Sequence, residues 1–196
     1  LLIECSLQKI LLTDDTVPFN EPNRPSTGAV VKSVNGIEKS PIEASQLDVN
    51  AAHLRMIQKA MYNVSNGRRG TARRSRIVTE GMEMAGKTGT SQVRNITAAE
   101  RARGVVRNDQ LPWERRDHGL FVAYAPFDRP KYAISLIVEH GGGGSSAAAP
   151  PARDILLYAL YGDVPPLDAY PSDQRERIKT MLNATTPAPI VECKAQ

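Results

Sequence analysis

Apolar residues follow three rhythms along this chain. Between Asp48 and Gly67 they recur at three- and four-residue spacing, as Leu54, Ile57, Met61 and Val64, which predicts an amphipathic helix with those residues in the core. Asp48 fits its N-cap, and Gly67 fits its stop. Three strand-like runs come next: Met84 to Val93, small and hydroxyl-rich; Leu120 to Ala125, ended by Pro126; and Tyr132 to Val138. In the last, Ala133, Ser135 and Ile137 alternate with Ile134, Leu136 and Val138. Asp128-Arg129-Pro130 makes a short turn between the second and third runs, so those two are expected to pair antiparallel. A second helix is predicted where Pro150 and Pro151 suit a first turn, Ile155, Leu156, Ala159 and Leu160 form an apolar stripe, and Gly162 closes it.

The flanks are less regular. Leu7, Ile10, Leu11 and Leu12 could share a helical face, but Pro18, Pro22 and Pro25 interrupt any continuation of it, so residues 1–25 are left unassigned. Ala29 to Val34 reads as a strand, Asn35-Gly36 as a two-residue hairpin turn and Ile37 as the start of the return strand. Gly141 to Gly144 is expected to form a flexible joint. Beyond Val164 the chain is rich in proline and polar residues, and residues 164–196 are expected to be a poorly packed tail. Residues 26–163 therefore form the predicted domain. Its architecture is an antiparallel sheet flanked by helices, an α/β (α+β) layer arrangement.

Composition narrows the class. Of the 196 residues, 41% are apolar and 23% charged, as expected for a globular protein with a core. No run of eighteen apolar residues exists to cross a membrane as a helix, and Leu1 to Cys5 lacks the features of a secretory signal. The chain begins at Leu1 rather than methionine, which leads us to expect a portion of a longer protein. The net charge of +4 is concentrated in two stretches, Arg68 to Arg76 and Arg101 to Arg116. Such stretches could meet a polyanion, but apart from Trp113 they lack the aromatic residues that single-strand binders interleave with arginine. They are read as solvated surface, with no nucleic-acid partner expected. Cys5 and Cys193 have no metal-ligand spacing around them, His53 has no partner at ligand spacing, and no metal or cofactor is expected.

The segment Lys87-Thr88-Gly89-Thr90 carries the chemistry. Lysine and glycine are unusual inside a strand. Gly89 lets a backbone or substrate approach closely. Thr88 and Thr90 share a face by strand alternation, and their hydroxyls can hold a carboxylate. Lys87 adds a positive charge that favours an anionic substrate. A strand edge can also pair with an extended peptide through main-chain hydrogen bonds. Together these parts make a cradle for a peptide that ends in a carboxylate.

Lys-Thr-Gly is also the third signature of penicillin-binding proteins and class A β-lactamases. The longer context, Ala85 to Val93, resembles that motif in the elongation-type penicillin-binding transpeptidases (penicillin-binding protein 2). So do Asn66-Gly67-Arg68-Arg69-Gly70-Thr71-Ala72 upstream, Arg116 to Pro126 downstream, and Val138-Glu139-His140 with the four glycines after it. The resemblance covers roughly residues 29–163. It implies a serine D,D-transpeptidase that attacks the D-Ala-D-Ala amide of peptidoglycan stem peptides, passes the acyl group to an amine on a neighbouring strand and is trapped by β-lactams. It implies that Thr88 and Thr90 hold the terminal carboxylate, that the Thr90 N–H donates to the oxyanion hole, that Lys87 takes part in proton relay, and that Gly89 lets substrate lie flush. It further implies cell-elongation proteins of the inner membrane as partners, and a setting at the periplasmic face of that membrane.

The family's first two motifs, Ser-x-x-Lys and Ser-x-Asn, also occur here, as Ser6-Leu7-Gln8-Lys9 and Ser33-Val34-Asn35. Both are read as accidents, because the proline-broken segment between them cannot build the helical lobe that separates the two motifs in the family. The nucleophilic serine is therefore expected outside this chain, and the chain alone is expected to be inactive. Asp117-His118 does not suggest a hydrolase triad, since neighbours on a strand point to opposite faces. A septal transpeptidase or a penicillin-sensing receptor would share the Lys-Thr-Gly strand, but Arg116 to Pro126 favours the elongation type. The alternatives from other classes are a basic nucleic-acid-binding module and a non-catalytic cell-wall interaction module.

Overall fold

The computed structural model describes residues 49–184 in full, and the backbone alone of Ile3–Lys9, Ser33–Val34 and Ile37–Glu38. In chain order the strands are β1 (Ile3–Lys9), β2 (Ser33–Val34), β3 (Ile37–Glu38), β4 (Ala85–Ser91), β5 (His118–Ala125) and β6 (Tyr132–Val138). The α-helices are α1 (Ala51–Asn66), α2 (Ala98–Arg103), α3 (Ala149–Tyr161) and α4 (Arg175–Ala184). Four strands form an antiparallel sheet in the order β1-β6-β5-β4, while β2 and β3 pair separately as a hairpin.

Register explains which face is core. Phe121 stands opposite Leu136, and Ala123 opposite Ile134, so alternate residues of β5 and β6 share one face. Those residues are buried together with Ala149, Ala152, Leu156 and Leu157 of α3, which packs across them. Val122 and Ser135, on the other face, are exposed. Helix α3 begins as the sequence predicts, with prolines in its first turn, and ends at Gly162, whose left-handed φ of 71° permits a bond from its N–H to the Tyr158 carbonyl at 2.8 Å.

Several expectations need correction. Residues 3–9 are strand rather than helix, paired along β6 with Ser6 opposite Ser135; an unpaired β6 edge offers a ladder of backbone partners that an isolated helical turn does not. Residues 10–25, 29–32 and 185–196 and the turn residues Asn35 and Gly36 lie outside the described residues, as does Asp48. The cap of α1 is Asn50, whose side chain accepts from the Ala52 N–H at 2.8 Å. Helix α1 does not bury all of its apolar stripe: Val64 packs against the core, but Leu54 and Ile57 are exposed, and the buried residues are Gln58 and Ser65. Gln58 and Ser65 lie on one stripe of the helix, to which Leu54 also belongs by its four-residue spacing from Gln58 although it is exposed near the helix start, while Ile57 lies to one side of it.

Within the described part of the segment after Val164, residues 165–184, the chain is packed, against expectation. Ala169, Tyr170 and Ile178 belong to the core cluster, and Val78 donates to the Ala169 carbonyl at 2.9 Å. Its prolines stop regular structure without preventing burial: Pro171 itself is fully buried. Gly141 to Gly144 is likewise a packed turn rather than a joint, leading into a π-helical turn at Gly144–Ala148.

Candidate functional site

Strand β4 lies at one edge of the sheet, so one row of its main-chain groups has no strand partner among the described residues. Lys87 is exposed, and its Nζ donates to the Thr88 carbonyl at 2.5 Å. Residues 87, 89 and 91 alternate with 88 and 90. Thr88 faces Phe121 in the register and Thr90 faces Gly119, which places both threonines on the face that α3 covers. Gly89 pairs with Leu120. The N–H and C=O of one residue leave an antiparallel strand on the same side. With Gly89 turned toward β5, the main-chain groups of Thr88 and Thr90 point to the open edge, where Lys87 reaches the Thr88 carbonyl.

Two contacts brace this strand from distant parts of the sequence. Gly70 packs so closely on the end of α1 that a Cβ there would collide with the Asn63 and Val64 carbonyl oxygens. That turn carries Thr71 to the sheet, where its Oγ1 stands 3.0 Å from Thr88 Oγ1. Asn66 adds a bond from Nδ2 to the Met84 carbonyl at 2.9 Å, tying the helix end to the entry of β4. On the same face Gly144 lies flat on the β4–β5 ladder: a Cβ there would come within 2.9 Å of the Gly89 nitrogen and closer still to its oxygen. Gly119 meets the neighbouring Gly143 in the same way, at 3.1 Å from its oxygen. Glycine is required at 144 because of this close approach.

The histidines sit at the far end of the strand. His118 stands opposite Ser91, and its Nδ1 accepts from the His140 backbone N–H at 2.9 Å. The His140 ring packs edge-on to His118 and against Trp113, with its Nδ1 2.9 Å from the Arg116 carbonyl oxygen. The Asp117 carboxylate instead accepts from Asn108 Nδ2 at 3.0 Å and from the Val93 N–H at 3.4 Å, so it orients neither ring. These are structural contacts, and no Ser-His-Asp array forms among the described residues.

Of the sequence-predicted site residues, Lys87, Thr88, Gly89 and Thr90 lie together on one edge strand. The two decoy serines do not join them. Ser6 is on β1, three strands from β4 and so roughly 14 Å away at the usual strand spacing. Ser33 is on the separate hairpin. No local signal marks Thr71 or Gly144 as part of the site, although both fall inside segments that carry the resemblance. Their adjacency to the strand depends on long-range folding.

The model of the penicillin-binding protein transpeptidase domain matches residues 24–157, more than half of the chain. The chain belongs to the penicillin-binding transpeptidase family. It is 35% identical over 150 residues to the peptidoglycan D,D-transpeptidase MrdA of Haemophilus influenzae, covering 74% of this chain and 22% of that protein. To MrdA of Escherichia coli K12 it is 29% identical over 147 residues, 75% of this chain and 19% of the relative. Among solved structures, a complex between penicillin-binding protein 2 and MreC from Helicobacter pylori matches at 30% identity and a TM-score of 0.44, over 65% of this chain and 21% of that one. The chain thus spans about a fifth of the length of these transpeptidases. Among the described residues no helix is long and apolar enough to cross a membrane.

Proposed function

We propose that this chain supplies the substrate-binding strand of a serine D,D-transpeptidase that cross-links peptidoglycan stem peptides during cell-wall elongation. The observation that carries the reading is an open edge strand bearing Lys87, Thr88, Gly89 and Thr90 within the stretch matched to the family. In this reading a peptide ending in D-Ala-D-Ala lies along β4. Its carboxylate is held by Thr88 and Thr90. The Thr90 N–H, on the open edge, donates to the oxygen that becomes negative as the amide is attacked, a contribution worth roughly 3 to 4 kcal/mol where such a donor is removed. Lys87 moves from the Thr88 carbonyl toward the incoming anion and helps relay the leaving-group proton. The nucleophilic serine comes from outside the residues gathered here, and a β-lactam occupies the same strand. The working position is the periplasmic face of the inner membrane, among proteins of the elongation machinery.

The test pairs a binding measurement with a mass measurement on the 196-residue chain. An acetylated peptide ending in D-Ala-D-Ala is expected to bind, and binding is expected to weaken by roughly tenfold or more in Thr88→Val with Thr90→Val, as two hydrogen bonds to a charged group are lost. Incubation with benzylpenicillin is expected to leave the intact mass unchanged. Absence of peptide binding by the folded chain would sink the reading. A penicillin adduct that disappears in Ser6→Ala would instead place the nucleophile on β1.

A further inference from the structure

Beside Thr71, whose hydroxyl touches Thr88 of β4, the structure has a cavity of ≈ 520 Å³ whose lining includes Thr71, Arg74, Ser145, Ser146, Gln174 and Arg177. Resting on the reading of β4 as a peptide-binding strand, we propose that this cavity is an anion subsite that takes a second carboxylate of the bound peptide.

Charge and position carry the proposal. Arg74 and Arg177 are both exposed on the cavity wall, and among the described residues neither guanidinium has a carboxylate within 4.0 Å. Asp173 also lines the cavity, which leaves one net positive charge. Asp154 is within electrostatic reach of Arg177 but is already paired with Arg153 at 2.8 Å. The wall is fixed independently of the two guanidiniums. Gln174 accepts from Arg153 Nη1 at 2.8 Å and donates to the main-chain carbonyl of Arg74 at 2.5 Å. Ser146 Oγ donates to the Gly143 carbonyl at 3.2 Å. These bonds hold the wall beneath the two arginines, and among the described residues no hydrogen bond engages either guanidinium. Thr71 links this cavity to the strand, since it lines the former and touches Thr88 of the latter at 3.0 Å. A guanidinium grips a carboxylate through paired N–H donors, and two of them around one opening select an anionic side chain over its neutral amide.

The test is calorimetric titration of the full chain with two peptides that differ only in charge, acetyl-Glu-D-Ala-D-Ala and acetyl-Gln-D-Ala-D-Ala. The first is expected to bind roughly tenfold more tightly, as for one charge-assisted contact. In Arg74→Gln with Arg177→Gln the ratio should fall to about one, with the affinity for the Gln peptide unchanged and the circular dichroism spectrum that of the parent. The paired Lys variant, which keeps both charges, should retain part of the preference. Equal binding of the two peptides by the parent chain, or a preference that survives in the Gln variant, overturns the subsite and leaves the strand reading standing. Failure of both peptides to bind overturns the two together. Inorganic phosphate that binds through the same arginines, while the peptides are not distinguished, overturns the assignment to a carboxylate.

Discussion

Thr88 Oγ1 and Thr71 Oγ1 stand 3.0 Å apart although their positions differ by 17 in the sequence. A hydroxyl pair of this kind contributes about 1 kcal/mol, and its coupling can be isolated from other effects of each substitution. In urea denaturation, Thr71→Val and Thr88→Val should each destabilise the chain, and the double variant should lose about 1 kcal/mol less than their sum. Strict additivity would mean that the contact does not brace the strand. Gly144→Ala should be more severe. Its methyl would collide with the Leu120 and Gly89 oxygens, both of them ladder atoms that cannot rotate away. Overpacking of this kind costs about 1 to 3 kcal/mol and should lower the urea midpoint accordingly. Gly162→Ala is a useful contrast, since no atom lies within 4 Å of its built Cβ and only the left-handed φ of 71° resists the change. Its cost should be nearer to about 1 kcal/mol. At this scale the sequence revealed Lys87 to Thr90, because lysine and glycine inside a strand are locally anomalous. It did not reveal the role of Gly144, which looks like any glycine of a flexible run until the fold sets it against Gly89.

Periodicity located the elements well where both faces of the pattern meet something. The strand from Tyr132 to Val138 has the limits that its alternation predicts, and α3 has the predicted proline start and glycine stop. It failed for α1, where apolar spacing at Leu54 and Ile57 proved a helix but not how far toward its start the core would reach. It also missed α2, six residues long, whose signal is a cap rather than an apolar stripe: Thr97 Oγ1 accepts from the Glu100 N–H at 3.2 Å. Glu100 then fastens the whole excursion between β4 and β5 through a two-pronged pair with Arg94 at 2.6 and 2.7 Å and a bond from the Val106 N–H. The Arg94 guanidinium holds the Glu100 carboxyl below its ordinary value of 4.5. A carboxyl with a lowered folded-state pKa adds stability at pH values above its unfolded value, and loses it as pH falls through the folded one. Amide protection of residues 97–106, corrected for intrinsic exchange, should therefore be constant from neutral pH to about 5 and decline below about 4. Glu100→Gln should show the loosened pattern already at about pH 7. If protection in the parent chain is unchanged at about pH 3, the ion pair is not what holds this excursion.

For the molecule as a whole, residues 165–184 are the least expected part of the structure, because they complete the core. Composition counts prolines and charges, and by that measure the stretch is solvated. Burial, however, depends on a few positions, and Ala169, Tyr170, Pro171 and Ile178 are enough to close the end of the domain over α3. The reason is visible in Arg153. Helix α3 buries this guanidinium to 1% exposure, which is tolerable only because Asp154 and Gln174 accept its N–H groups and the Tyr170 ring lies 4.8 Å from its carbon. Two of those three partners come from beyond Val164. Ending the chain after Gly162 would thus uncover the apolar surface that Ala169, Tyr170 and Ile178 close, and leave Arg153 with Asp154 alone of its three partners. Such a truncation should lose its cooperative urea transition. Adding Arg153→Met to the truncated chain should recover a transition, because the apolar side chain no longer needs the missing partners. If the truncated chain unfolds at the parent midpoint with Arg153 intact, the terminal segment is an ornament on the fold. If only the Arg153→Met form of it folds, the segment serves chiefly to satisfy one buried charge.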